Sequence, residues 1–244
     1  MYNGIQVSSL KPLLKTPEQV RAAFSRMAAL GCGYAQIQWI DPTVDVGEIA
    51  AAMADADMKS LGTQDFYVAV MENLEYYVDL NAATGGRWLT VSRIPERCKS
   101  PGGLDIFAAE LTALAQKLEP LGQRVCFHPV SADFQAVPGC NAVAYLMERL
   151  PWLELCLDLF HLDKNCDDMP GFIRRYGCRI PMVHFKDHRD GVLVPAGQGQ
   201  VKWDGVVDAC RDAGVEFALA EQETWDSDPY TCLGQALDWL SAQK

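Results

Sequence analysis

The four histidines of the chain, His128, His161, His184 and His188, all lie in its second half, each at or just beyond the end of a short apolar run. Acids accompany them. Asp133 follows the first, Asp158 closes the run Leu153–Leu157, Asp187 sits between the last two histidines, and Glu221 closes Phe217–Ala220. Burying several acids together is costly unless a cation or protons compensate them. Imidazole with carboxylate oxygen is a ligand set for a divalent metal such as Mn, Mg, Co or Zn. These residue types therefore predict a metal-assisted active site. Taken alone, a histidine in Met182-Val183-His184-Phe185 would be a satisfied core residue, and its neighbours Lys186, Asp187 and His188 turn it toward function. Lys186 shares the strand phase of His184 and is expected either to reach a substrate hydroxyl or phosphate or to pair with Asp187 at a rim. His161, three residues past Asp158, is either a substrate-binding group or a partner that holds a carboxylate.

Such residues must be positioned by a regular frame. Short β-like runs alternate with amphipathic helical stretches from end to end, the pattern of a parallel sheet. Strands are predicted near Gly4–Ser8, Tyr34–Trp39, Lys59–Gln64, Trp88–Val91, Arg124–His128, Leu153–Asp158, Pro181–Phe185 and Phe217–Glu221. Helix starts are marked by Thr16-Pro17, by Asp45 with Glu48 as a capping box, and by Asp228-Pro229. Gly31, Gly122 and Gly214 close helices just ahead of the next strand. Eight βα repeats predict an α/β fold, a single (β/α)8 TIM barrel spanning residues 1–244.

A doubly wound open sheet is the rival architecture. Its first βα turn would be Ser8-Ser9-Leu10-Lys11-Pro12, which lacks the glycines that let a backbone approach a pyrophosphate. Gly197-Gln198-Gly199 comes too late and belongs to a long loop after the seventh predicted strand. In a barrel, the ends of strands five to eight share one rim, so their polar side chains converge from one sector. Trp39, Gln64, Asp65, Trp88 and Ser92, at the ends of strands two to four, are candidates for the pocket wall and its polar hooks, with Trp88 assigned to packing.

Composition narrows the partners. Thirty-two acidic against 21 basic residues give a net charge of −11, and no basic run interrupts it, so nucleic acid is not an expected partner. The nine cysteines contain no CxxC pair and fit buried thiols in a reducing cytoplasm. No stretch approaches about 18 apolar residues and no signal-peptide pattern opens the chain, so neither membrane insertion nor secretion is expected.

Several segments resemble the xylose isomerase-like TIM-barrel superfamily, specifically its sugar phosphate isomerase/epimerase group. The likeness is densest at Phe127–Phe134, Leu157–His161 and Arg179–Asp187, and it continues through Pro195–Asp204 into Ala220–Glu223. It implies one divalent metal held by Asp133, Asp158, His184 and Glu221. The family has a glutamate where Asp133 stands, and the second histidine of that segment is Val130, so His128 is the substitute candidate for the first ligand. The implied chemistry is proton transfer next to a carbonyl through an enediolate, with Glu221 as base, Asp133 opposite, and His161, Lys186 and His188 orienting hydroxyls. His128, Trp39 and Gln64 complete the expected substrate contacts. The expected partner is a small-molecule sugar or cyclitol; the oligomeric state is left open, with a homodimer one option because barrels of the group often pair. An inosose-type dehydratase starting from the same enolate and a non-catalytic sugar-binding barrel are the alternatives. Endonuclease IV chemistry is disfavoured, because three zinc ions need more than four histidines.

Overall fold

The computed structural model describes residues 1–243. Eight parallel strands close into a barrel: β1 (Tyr2–Gln6), β2 (Tyr34–Ile37), β3 (Lys59–Phe66), β4 (Trp88–Ser92), β5 (Arg124–His128), β6 (Glu154–Asp158), β7 (Met182–Phe185) and, after a hairpin, β10 (Phe217–Ala220), which pairs with both β7 and β1. Every one of them falls on a run predicted from the sequence. The hairpin, β8 (Asp187–Arg189) with β9 (Val192–Val194), was not predicted and occupies the first part of the expected loop. Its turn is Asp190-Gly191, with φ of 51° and 84°, the conformation for which Asp-Gly is suited.

Helix starts behave as their residues dictate. Thr16 accepts from the Gln19 N–H and Asp228 from that of Thr231. Asp45 accepts from Gly47, but Glu48 does not close the expected capping box and instead pairs with Arg21 at 3.0 Å.

Alternation along the strands divides the core in two. Outward residues such as Ile5, Leu89, Val91, Phe127, Leu157, Val183 and Phe185 pack beneath the helices. Inside the barrel lies a smaller apolar plug of Leu61, Trp88, Cys126, Cys156, Met182, Phe217 and Leu219, so Trp88 is a packing residue. Two residues further along the same strands the inward positions turn polar: Cys126 gives way to His128, Cys156 to Asp158, Met182 to His184 and Leu219 to Glu221. Period-two side-chain direction thus carries apolar floor and polar rim on the same faces of the same strands.

Closure of the barrel requires one backbone exception. Gly62 has φ of +140°, and a Cβ there would stand 1.8 Å from the Trp88 carbonyl oxygen. It lies where the β2–β3 register shifts. Gly62→Ala is therefore expected to destabilise the fold by about 1–3 kcal/mol or more, read by denaturant titration. Wild-type stability would show that this strand can relax.

Candidate active site

Four buried side chains from four adjacent strand ends meet at the C-terminal rim. His128 of β5, Asp158 of β6, His184 of β7 and Glu221 just past β10 each offer a ligand atom, and these atoms lie within 4.8 Å of one another. Among the described residues, five buried polar atoms of this group have no hydrogen-bond partner: both ring nitrogens of His128, Asp158 Oδ2, His184 Nδ1 and Glu221 Oε2. Buried polar atoms are rarely left unpaired, so this concentration of unpartnered atoms fits a cation.

Local structure aims each one. Asp158 caps the short helix Leu159–Asp163, where Oδ1 accepts from the N–H groups of Phe160 at 2.9 Å and His161 at 3.3 Å. Its other oxygen is thereby turned to the barrel axis, 4.0 Å from His128 Nε2 and 3.6 Å from His161 Nε2. Glu221 accepts from the Ser8 hydroxyl with Oε1 at 3.2 Å, leaving Oε2 toward His184 Nδ1 at 2.9 Å without hydrogen-bond alignment. His184 is held from below, where Nε2 lies 2.7 Å from Gln36 Oε1.

Charge is arranged to keep these groups ligand-ready. Burial and the neighbouring His184 hold the His128 imidazole well below its usual range. Burial opposes ionisation of Glu221, yet the Lys186 ammonium, the strongest of the opposing causes, outweighs it and keeps the carboxyl well below the ordinary range. Burial likewise opposes the Lys186 ammonium, but Glu221, Asp158 and Glu223 hold it charged. Its Nζ lies 3.8 Å from Asp158, 4.0 Å from Glu221 and closest of all to Glu223. The Glu223 carboxyl is itself pushed up by burial and by Glu221.

The expected first ligand stands elsewhere. Asp133 is buried, but Oδ1 accepts from the Ile94 N–H at 2.9 Å and Oδ2 from the Val130 N–H at 2.8 Å. With both oxygens taken up by the loops after β4 and β5, it has no place in the rim cluster, and His128 occupies that corner. Asp133→Asn would turn an amide N–H toward a backbone N–H, so a stability loss of about 1–3 kcal/mol is expected; an unaltered unfolding curve would contradict the capping role.

Other predicted residues divide similarly. His161 adjoins the cluster, with Nδ1 bonded to the Ser131 hydroxyl at 2.9 Å. His188 starts away from it on the hairpin, packed edge-on against Phe160. Trp39 bounds a separate cavity of about 590 Å³ with Lys11, Tyr76 and Tyr77, and its indole N–H donates to Asp65. Gln64 points into the barrel and accepts from Gln6. Asp187 does not pair with Lys186. Its carboxylate gathers the backbone N–H groups of His188, Gly197, Gly199 and Val201 together with the Trp203 indole N–H, and so fastens the segment after the hairpin. Glu223 was missed as a site residue, although it lies two positions beyond Glu221 and so on the same side of an extended chain.

A family model described as xylose isomerase-like TIM barrel matches residues 63–243, and the chain belongs to that family. No curated protein sequence matches it. Solved structures extend the likeness in fold to the whole chain at low identity. A sugar phosphate isomerase/epimerase from Parabacteroides distasonis is 14% identical with a TM-score of 0.80, over 99% of this chain and 94% of that one. An L-ribulose 3-epimerase is 17% identical with a TM-score of 0.77, over 99% and 94%. A D-allulose 3-epimerase from Methylomonas sp., solved with D-allulose, is 16% identical with a TM-score of 0.77, over 100% and 97%.

Proposed function

We propose that this chain is a metal-dependent carbohydrate isomerase or epimerase that moves a proton on carbon next to a carbonyl. The observation that carries the proposal is the set of five unpartnered buried atoms on His128, Asp158, His184 and Glu221. Two imidazoles with two carboxylates suit a divalent cation of the Mn, Mg, Co or Zn kind. When bound, the cation supplies Lewis-acid stabilisation to a substrate carbonyl and its neighbouring hydroxyl.

The chain's own groups do the rest. Glu221 is the group that accepts the proton from the substrate carbon. Lys186, charged and lodged among three carboxylates, donates to a substrate oxygen as negative charge develops there. Glu223 replaces Asp133 as the second acid of the mouth. A cavity of about 660 Å³ opens beside His161 and is lined by Ser92, Arg93, Lys99 and Ser131, space in which the remainder of a sugar lies. The fold neighbours named for ribulose and allulose epimerisation make a ketose the first substrate to try.

Metal analysis of the purified protein, followed by solvent deuterium wash-in across a panel of ketoses and inososes, tests this. Bound divalent metal and exchange into at least one ketose are expected; no metal and no exchange would overturn it in favour of a binding barrel. Within the same assay Glu221→Gln should abolish exchange with the fold intact. His128→Ala should weaken metal binding by about tenfold or more, whereas Asp133→Asn should leave it near the wild-type value. Full exchange by Glu221→Gln would remove that residue from the mechanism.

A further inference from the structure

We infer that the C-terminal rim holds a second carbohydrate subsite, in the cavity walled by Trp39, and that the substrate is a neutral keto sugar carrying a second sugar ring. The place of the first ring rests on the function proposed above, whereas that of the second rests on Trp39 and its cavity.

The cavity of about 590 Å³ lies at the ends of β2 and β3, within the range of about 300–1,000 Å³ that small-molecule sites occupy. Its wall combines aromatic surface from Trp39, Tyr76 and Tyr77 with the polar side chains of Gln38, Asp41 and Asp65. A pyranose presents C–H faces and a girdle of hydroxyls, so aromatic faces and hydrogen-bonding groups in one cavity match it. The charges there suit a neutral ligand. Lys15 pairs with Asp41 at 3.7 Å, and Lys11 Nζ stands 4.4 Å from the centre of the Trp39 ring, so both cations already have partners.

Trp39 is held in an unfavourable backbone conformation. Two residues past the end of β2 its φ is 59°, in the left-handed region that a bulky residue rarely adopts. Its indole N–H donates to Asp65 Oδ1 at 3.3 Å, and Phe66 packs edge-on against the ring at 5.9 Å. Asp65 is itself set by the Phe66 N–H and the Tyr77 hydroxyl, each at 2.7 Å. Arg93, one residue past β4, repeats the pattern, with φ of 65° and its guanidinium 4.2 Å from the centre of the Phe66 ring. Backbone strain of this kind persists where surrounding contacts over-determine it, and it gathers at ligand sites. Lys11 alone is loosely placed: its side chain is exposed, and a sugar ring can displace it from the indole.

Phe66 joins the two cavities. With Arg93 it lines the one beside His161, where the first ring is placed, and it touches Trp39 in the wall of the second. Gln64 also lines the second cavity and reaches into the barrel, where Gln6 Nε2 donates to Gln64 Oε1 at 3.3 Å and to Gln36 Oε1 at 3.0 Å in a glutamine layer beneath the cluster. Two rings linked by one glycosidic bond thus have adjoining places on one rim.

The test compares D-fructose with two ketose disaccharides that keep a free carbonyl, lactulose and palatinose. Solvent deuterium exchange is measured with the metal-loaded protein, and binding of the same sugars by calorimetry. For at least one disaccharide, kcat/KM is expected to exceed that of D-fructose by about tenfold or more, because binding energy from the remote ring is spent at the reacting carbon. D-fructose equal to or better than both would overturn the inference. Trp39→Ala is expected to lower the disaccharide-to-fructose ratio by about tenfold, and Trp39→Phe, which keeps an aromatic face, to restore most of it. An unchanged ratio in Trp39→Ala would contradict the subsite. Should that variant not fold, Asn73→Trp fills the cavity from an exposed position on its wall and is expected to lower the same ratio, and an unchanged one would count against it. Tighter calorimetric binding of a disaccharide than of D-fructose, without exchange into any sugar, would sink the proposed function while leaving the subsite standing; neither exchange nor tighter binding would remove the subsite as well.

Discussion

Four buried side chains that face one another, with five of their polar atoms left without a hydrogen-bond partner, are the constraint on which the remaining structure depends. Such a group is unfavourable by itself, because burial raises the cost of every unmatched acceptor. It persists because three of the four side chains are tied down at their other ends. Asp158 is fixed by the helix it caps, Glu221 by Ser8, and His184 by Gln36. Lys186 offsets part of the carboxylate charge from the side of the mouth. The barrel contributes by bringing four consecutive strand ends to one sector, where no single loop could hold so much polarity.

The same strands that carry the site also seal its floor. Below the polar rim, the interior passes through the glutamine layer into an aromatic base, where Phe217 packs against Tyr34 at 5.0 Å and Trp88 at 6.0 Å between ring centroids. Glu154 takes the Trp88 indole N–H and pairs with Arg124 at that end. Water and ligands therefore have the C-terminal face as their approach to the cluster, and the cavity beside His161 lies on that face. Asp187 fastens the segment that follows the hairpin, and a Cβ on Gly199 would fall 2.2 Å from its Oδ1; the chain can wrap that carboxylate only with glycine at this position.

Much of this was legible in the sequence where burial and periodicity coincide. The eight barrel strands were readable because each is a short apolar run ended by a polar residue, and Asp158, His184 and Glu221 were readable because they interrupt such runs in phase. Asp133 was not, since it sits beyond the strand, where the chain turns into the short helix Ser131–Phe134 and phase no longer says which way a carboxylate points. Spacing could not foresee that the N–H groups of Ile94 and Val130 would claim both its oxygens. The hairpin carried a usable signal in the turn dipeptide Asp190-Gly191. Gln36 carried none, because its meaning comes from a partner nearly 150 positions away that only barrel closure brings near.

The central claim is that the rim cluster is a cation site built from His128, Asp158, His184 and Glu221. Anomalous diffraction from crystals grown with Mn²⁺ tests it most directly. A single strong peak within bonding distance of all four side chains, with Asp133 still bonded to Ile94 and Val130, is the predicted result. A well-ordered map with no peak there, or one centred on Asp133 instead, would contradict it.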